Sequence, residues 1–192
     1  MDGVSVSVEA MTLRDGPRSK RGLILTAAIE RFGEVGFEHT KWASIADEVG
    51  IGQTALYHYF ESKGHCLLTI MRLELAQSLE RFTSAIEGVE DPVEALSAAV
   101  TSALEASPRD ALQRRILQSH MDLLATPRQS EKEEAERQTS RVLVNSIEEE
   151  WSLLIARGDG RRSIRRQRSA LDGPADSRTR RQCVAVVSTG GT

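Results

Sequence analysis

Aromatic residues make up only 4% of this 192-residue chain, proline occurs five times and cysteine twice. So few aromatics, with no sustained alternation of apolar and polar positions, exclude a strand-rich fold. Cys66 and Cys183 supply neither metal-ligand spacing nor a disulfide framework, as expected of a reducing cytoplasm. Cys66 reads as a small buried apolar residue of its helix rather than a reactive thiol. No apolar run reaches the length that spans a bilayer, and the first sixteen residues lack the basic start and apolar core of a signal peptide. Both absences point to a cytoplasmic protein with no membrane partner. His39, His58, His65 and His120 are scattered, no carboxylate pair stands beside a histidine at ligand spacing, and no glycine loop is shaped to cradle a phosphate. An enzyme, a metal site and a cofactor are therefore not expected.

What the chain has is 40% apolar content and many strong helix formers. The fold class that follows is all-α. The formal charge of −3 hides an uneven distribution. Residues 157–192 hold nine Arg, three Asp and no Lys, a local charge of +6, which leaves −9 on the rest. Residues 17–63 carry six basic and six acidic groups, so attraction to phosphate there depends on placement rather than net charge.

The most informative stretch runs from Thr40 to Lys63. Trp42, Ile45, Ala46 and Val49 recur at helical spacing, Gly50 stands where a sharp turn needs positive φ, and Ile51 plugs that turn. A second short helix buries Ala55, Leu56 and Phe60, leaving Gln53, Thr54, Tyr57, His58 and Tyr59 outward. Two short helices joined by a glycine turn, the second presenting polar and aromatic groups, form the layout of a helix-turn-helix. Gln53 and Thr54, at the amino end of the second helix, suit base edges in a major groove: Gln bonds adenine bidentately and the Thr methyl touches a thymine methyl. Tyr57 and His58 reach bases or backbone.

The stretch closely resembles the tetracycline-repressor (TetR) family of bacterial transcription regulators, whose signature appears as Thr40, Ile45-Ala46, Gly50-Ile51, Leu56-Tyr57, Tyr59, Phe60 and Ser62-Lys63. The resemblance implies phosphate contacts at Thr40, Lys41, Tyr59 and Lys63. It also implies a homodimer on a palindromic double-stranded operator, and a helical second domain holding a small apolar or amphipathic effector that releases the protein from DNA. Trp42 is bulkier than the family's usual residue and reads as core, and Gly52 replaces a frequent serine cap.

A first helix is expected over about 18–33, burying Ile24, Ala28, Phe32 and Val35, after an N-terminal segment, 1–16, without fixed structure. Ser62 caps a long helix from Lys63 to about Glu87, with Leu67, Met71, Leu75, Leu79, Phe82 and Ile86 on one face. Asp91-Pro92, Ser107-Pro108 and Thr126-Pro127 each signal a further helix start. The first of these carries Val93, Leu96, Val100 and Leu104 as its expected buried stripe. The second covers 108–125, and the third ends at Gly158. Residues 17–63 thus form the DNA-binding domain and 64–157 the effector and dimerisation domain. Leu96, Val100, Ile116, His120, Leu143, Ile147 and Trp151 are the candidate effector-lining residues. The carboxylates at 131–136 and 148–150 read as solvated faces.

Residues 158–192 depart from the family, which has two further long helices there. The Arg-rich end reads as a basic extension for sequence-independent phosphate binding, as a tail without function, or as a shifted reading frame, the last being favoured. Two functions follow: an effector-released dimeric repressor, or a DNA-binding protein without effector control that uses the basic tail.

Overall fold

The computed structural model describes residues 19–105 and 107–171, with side chains as far as Asp159. Among these residues the regular structure is entirely helical. The elements are α1 (Lys20–Glu34), α2 (Trp42–Val49), α3 (Gln53–Tyr59), α4 (Lys63–Ile86), α5 (Pro92–Leu104), α6 (Pro108–Ser119), a 3₁₀ turn (Met121–Leu124) and α7 (Glu131–Leu171). The expectations for residues 1–16 and for the end of the chain beyond Leu171 lie outside the described residues.

Local chemistry sets most of these boundaries. The hydroxyl of Ser19 accepts from the backbone of Gly22, and that of Ser62 from His65, so α1 and α4 start on side-chain caps. Asp91 caps α5 through Val93 and Glu94, while Ser107 and Asp110 bond reciprocally at the start of α6. Gly50 closes α2 at φ 69°, which a residue with a Cβ adopts only at a cost.

One core runs from the helix-turn-helix into the later helices. Ile24, Ala28, Phe32, Ile45, Leu56, Phe60, Leu67 and Met71 are buried together with Ile116 and Leu124, and Leu112, Leu143, Val144 and Ile147 pack against them. No break in packing falls at Lys63. A second cluster joins Phe82 of α4 to Ala95 and Ala99 of α5 and Leu154 of α7, with Trp151 stacked at a tilt on Phe82, 4.7 Å between centroids. Arg81 and Arg114 converge on the buried Glu74 carboxylate, and Arg114 also donates to the carbonyls of Ala103 and Glu105, tying α4, α5 and α6 at one point. Burial raises the Glu74 carboxyl from its ordinary range against the opposing pull of the two arginines.

Several expectations are corrected. Val35 is half exposed, because α1 has ended before it. On α5 the stripe is inverted: Val93, Leu96, Val100 and Leu104 face outward, and the buried residues are Pro92, Ala95 and Ala99. Both faces of α5 are apolar, and the flatter alanine face fits between the bulky Phe82 and Trp151. The helix expected over 108–125 stops at Ser119, where His120 leaves helical geometry and its ring nitrogen engages the Ile116 carbonyl at 2.8 Å. The last helix starts at Glu131 rather than at Thr126-Pro127, with Ser130 and Glu134 ordering its first turn.

Gly158 does not end that helix. A single interior glycine costs about 1 kcal/mol relative to alanine, and the arginine-rich run after it favours helix. Gly158 also sits where α7 passes the start of α5, its Cβ position 4.0 Å from Pro92. Over its 41 residues α7 is roughly 60 Å long at 1.5 Å per residue.

Candidate nucleic-acid interface

The reading face is built on buried residues that leave its polar ones free. Ile45, Ala46, Leu56 and Phe60 are all fully buried, and they fix α2 and α3 against α1 and α4. Trp42, packed against the core, meets Phe60 edge-on at 6.4 Å, and Arg21 lies over the Phe60 ring at 4.4 Å from its centroid. Held by this frame, Gln53, Thr54, Tyr57, His58 and Tyr59 are all exposed. Tyr57 is 53% exposed, far more than its packing neighbours require, and Tyr59 37%. Neither α2 nor α3 has a side-chain cap, so the first N–H groups of both short helices remain available to an acceptor.

The four residues expected at phosphates divide into two kinds. Lys41 and Tyr59 are exposed and uncommitted. Thr40 is buried, and its hydroxyl donates to the Gly36 carbonyl at 2.8 Å, so it latches the turn between α1 and α2. Lys63 spends its three donors on the carbonyls of Phe37, Glu38 and Thr40, at 2.7, 3.3 and 3.1 Å, while lying over the Phe37 ring. Its ammonium bolts the same turn to the start of α4. The sequence pattern alone cannot distinguish a lysine that reaches out from one that folds back.

The acidic start of α7 is also a correction, since it is not a solvated face. Glu133 accepts from the Ser62 hydroxyl, Glu136 accepts from Thr69 and pairs with Arg72, and Ser130 and Lys132 reach Glu61. These bonds fasten α7 onto the end of the helix-turn-helix. His65, 6% exposed, sits inside this seam with its Nδ1 accepting from the Glu61 N–H and its ring against Phe60. Burial lowers its affinity for a proton, opposed by Glu136 and Glu61 and reinforced by Arg21 and Lys132.

The candidate effector residues are not gathered in one place. Leu96 and Val100 face solvent, Leu143 and Ile147 pack on the main core, and Trp151 fills the second cluster. Ile116 and His120 do meet, in an open cleft of about 390 Å³ between the α1–α2 turn and the end of α6, which Phe37, His39 and Arg115 also line. Sequence reading missed His39 and Arg115, because their neighbours in space are far away in the chain. Among the described residues no three His, Cys, Asp or Glu side chains gather as metal ligands. Burial raises the Cys66 thiol, which keeps it protonated and inert.

Comparison with known proteins places the head. The pattern of the bacterial regulatory proteins, tetR family, matches residues 24–70, which run from α1 into α4. Residues 24–70 are thus similar to the amino-terminal unit of the tetR family. The HTH-type transcriptional regulator RutR of Escherichia coli (strain K12) is 35% identical over 54 residues, 28% of this chain and 26% of that protein. The fatty acid metabolism regulator protein of Bacillus subtilis (strain 168) is 29% identical over 70 residues, 36% of each. The similarity therefore spans about a quarter to a third of these relatives. A crystal structure assigned to the tetR transcription regulators, from Shewanella sp. PV-4, superposes with a TM-score of 0.53 over 74% of this chain and 71% of that one, at 23% identity. At that identity the likeness speaks for the fold. The matched residues take in α2 and α3, the two helices of the helix-turn-helix layout. No helix of the described residues is long and apolar enough to cross a membrane.

Proposed function

We propose that this chain is a transcriptional repressor that binds a palindromic operator as a homodimer and is released by a small apolar or amphipathic effector. The observation that carries the reading is the exposed row Gln53, Thr54, Tyr57, His58 and Tyr59 on a rigidly packed helix, none of which the core uses. Gln53 and Thr54 read base edges, Tyr57 and His58 contact bases or backbone, and Lys41 and Tyr59 hold phosphates. Thr40 and Lys63 act one step back, by setting the turn that aims α2 and α3. Ile116 and His120, in the cleft beside the head, are the best placed of the effector residues, since a ligand there would press on the α1–α2 turn.

The inventory of the α3 face favours dimeric binding. It has no Arg or Lys, so each head gains little from phosphate neutralisation, and affinity depends on two heads reading two half-sites one helical turn apart.

A second reading is DNA binding without effector control, supported by the outward placement of Leu96 and Val100 and the scatter of the other candidates. Selection of duplexes from a random pool separates the two when repeated with a small-molecule library. Enrichment of a palindrome that a ligand abolishes supports the first reading. A palindrome indifferent to every ligand supports the second, and salt-steep binding to any duplex contradicts site-specific repression.

A further inference from the structure

The parts of the head converge on Phe60. Fully buried directly after α3, its ring meets Trp42 of α2 edge-on at 6.4 Å and His65 of α4 at 5.5 Å, and the Arg21 guanidinium of α1 lies over it at 4.4 Å. A shift of this ring moves the end of α3. The same guanidinium stands 4.0 Å from the carboxylate of Glu136, on the second turn of α7, with the two side chains 21% and 14% exposed. Glu136 is held in turn by α4, one oxygen accepting from the Thr69 hydroxyl at 3.0 Å and the other pairing with Arg72. One carboxylate thus joins α7, α4 and α1. The bonds from Ser130, Lys132 and Glu133 end on Glu61 and Ser62, in the turn into α4, whereas Glu136 reaches back to the first helix.

We infer that Glu136 is a positioning residue for the reading helix: it draws Arg21 against Phe60 and so ties the angle of α3 to the place of α7. The inference rests on the reading of α3 as the helix that meets DNA, and adds what sets its aim. The guanidinium is attracted both by the face of the ring and by the carboxylate, in surroundings that screen charge less than water does. Without the carboxylate charge it loses its pull toward α7. Because α7 also packs Leu143, Val144 and Ile147 on the main core, a displacement of that helix reaches Phe60 through Arg21.

Full-length Arg21→Met, Glu136→Gln and the double variant test this. They remove charges of opposite sign, so a direct electrostatic effect would be opposite in the two, whereas a common displacement of Phe60 acts in one direction. A readout that needs no DNA is the indole N–H signal of Trp42 in an NMR correlation spectrum, told apart from that of Trp151, the only other tryptophan, by Trp151→Phe. Both single variants should shift it in the same direction, and the double variant no further than the larger single shift. The second readout is affinity for the palindrome that wild type selects. Each single variant should bind it about 10-fold more weakly, and the double variant no more weakly than the singles. For Glu136→Gln that loss runs against net charge, since removing an acidic group alone would tighten binding. If Glu136→Gln unfolds, Arg21→Met is set against Lys20→Met, which removes the same charge from an exposed neighbour and should leave Trp42 unmoved. Shifts of opposite sign, an unmoved Trp42 signal, equal shifts in Arg21→Met and Lys20→Met, or losses of affinity that add in the double variant overturn the inference. The expected shifts in a protein that selects no DNA sequence would sink the regulator reading and leave the relay standing. An operator-binding protein whose Trp42 signal ignores both variants would do the reverse.

Discussion

Lys41 and Lys63 look alike in sequence, each beside an element of the reading head, but the structure gives them different work. Lys41 is free at the uncapped start of α2, whereas Lys63 is bonded to three carbonyls of the α1–α2 turn. Lys41→Ala should therefore leave the melting temperature unchanged and reduce the slope of log affinity against log salt by about one unit, measured by fluorescence anisotropy. Lys63→Met should do the opposite. It removes hydrogen bonds from a charged donor and should lower stability by about 1–3 kcal/mol in urea titration, with no change in salt slope for the fraction that remains folded. His65 carries a pH dependence of definite sign. Unfolded, its imidazole protonates near the ordinary 6.5; folded, burial holds the proton affinity lower. Its contribution is thus full above pH 6.5 and is lost as the pH falls towards and through the folded value. The urea midpoint should drop between pH 7.5 and 5.5, and His65→Gln, whose amide oxygen can still accept from Glu61, should drop less. An equal drop in both proteins would assign the acid sensitivity elsewhere.

The helices themselves were largely legible, because caps and breakers act locally. Ser62, Asp91 and Ser107 start helices where their types predict, and Gly50 turns with the positive φ its position demands. The inner face of α5 was not legible. A helix apolar all round has two possible inner faces, and only the shapes of Phe82 and Trp151 select alanine over valine and leucine. The same tertiary logic hid the seam at the start of α7, where an acidic run that suits solvent instead meets Ser62, Thr69 and Arg72 from 64 to 71 residues away. Close approach between elements makes a further prediction. Gly33 of α1 faces Leu112 of α6 so tightly that a Cβ there would lie 2.7 Å from the leucine Cδ2. Gly33→Ala should push α6 away and cost about 1–3 kcal/mol of stability, despite alanine's better helix propensity. A stabilised Gly33→Ala protein would show that the two helices are not held at this distance.

On the scale of the whole molecule, the helix-turn-helix and the later helices share one core, and no break in packing falls at the expected boundary, Lys63. Which residues the core leaves exposed was readable from the spacing of apolar positions in 42–60, since whatever the core does not need is left outside. Which candidate residues lie together in a cleft was not, because such a cleft draws on side chains whose nearness only the fold creates. The cleft that brings His39 and Arg115 to Ile116 and His120 illustrates this. The extension of α7 to Leu171 adds a helical rod beyond Gly158 whose arginines the sequence had assigned to a tail.

The central claim is that α3 reads sequence, and selection of duplexes from a random pool tests it directly when wild type and Gln53→Ala/Thr54→Ala are run side by side at fixed salt. Wild type should enrich a palindrome with half-sites one helical turn apart. The double variant, folded and equally stable because both residues are exposed, should lose that enrichment, with affinity for the selected site down by about 10-fold to 100-fold. The same palindrome enriched equally by both proteins, or no palindrome from either, would contradict the account.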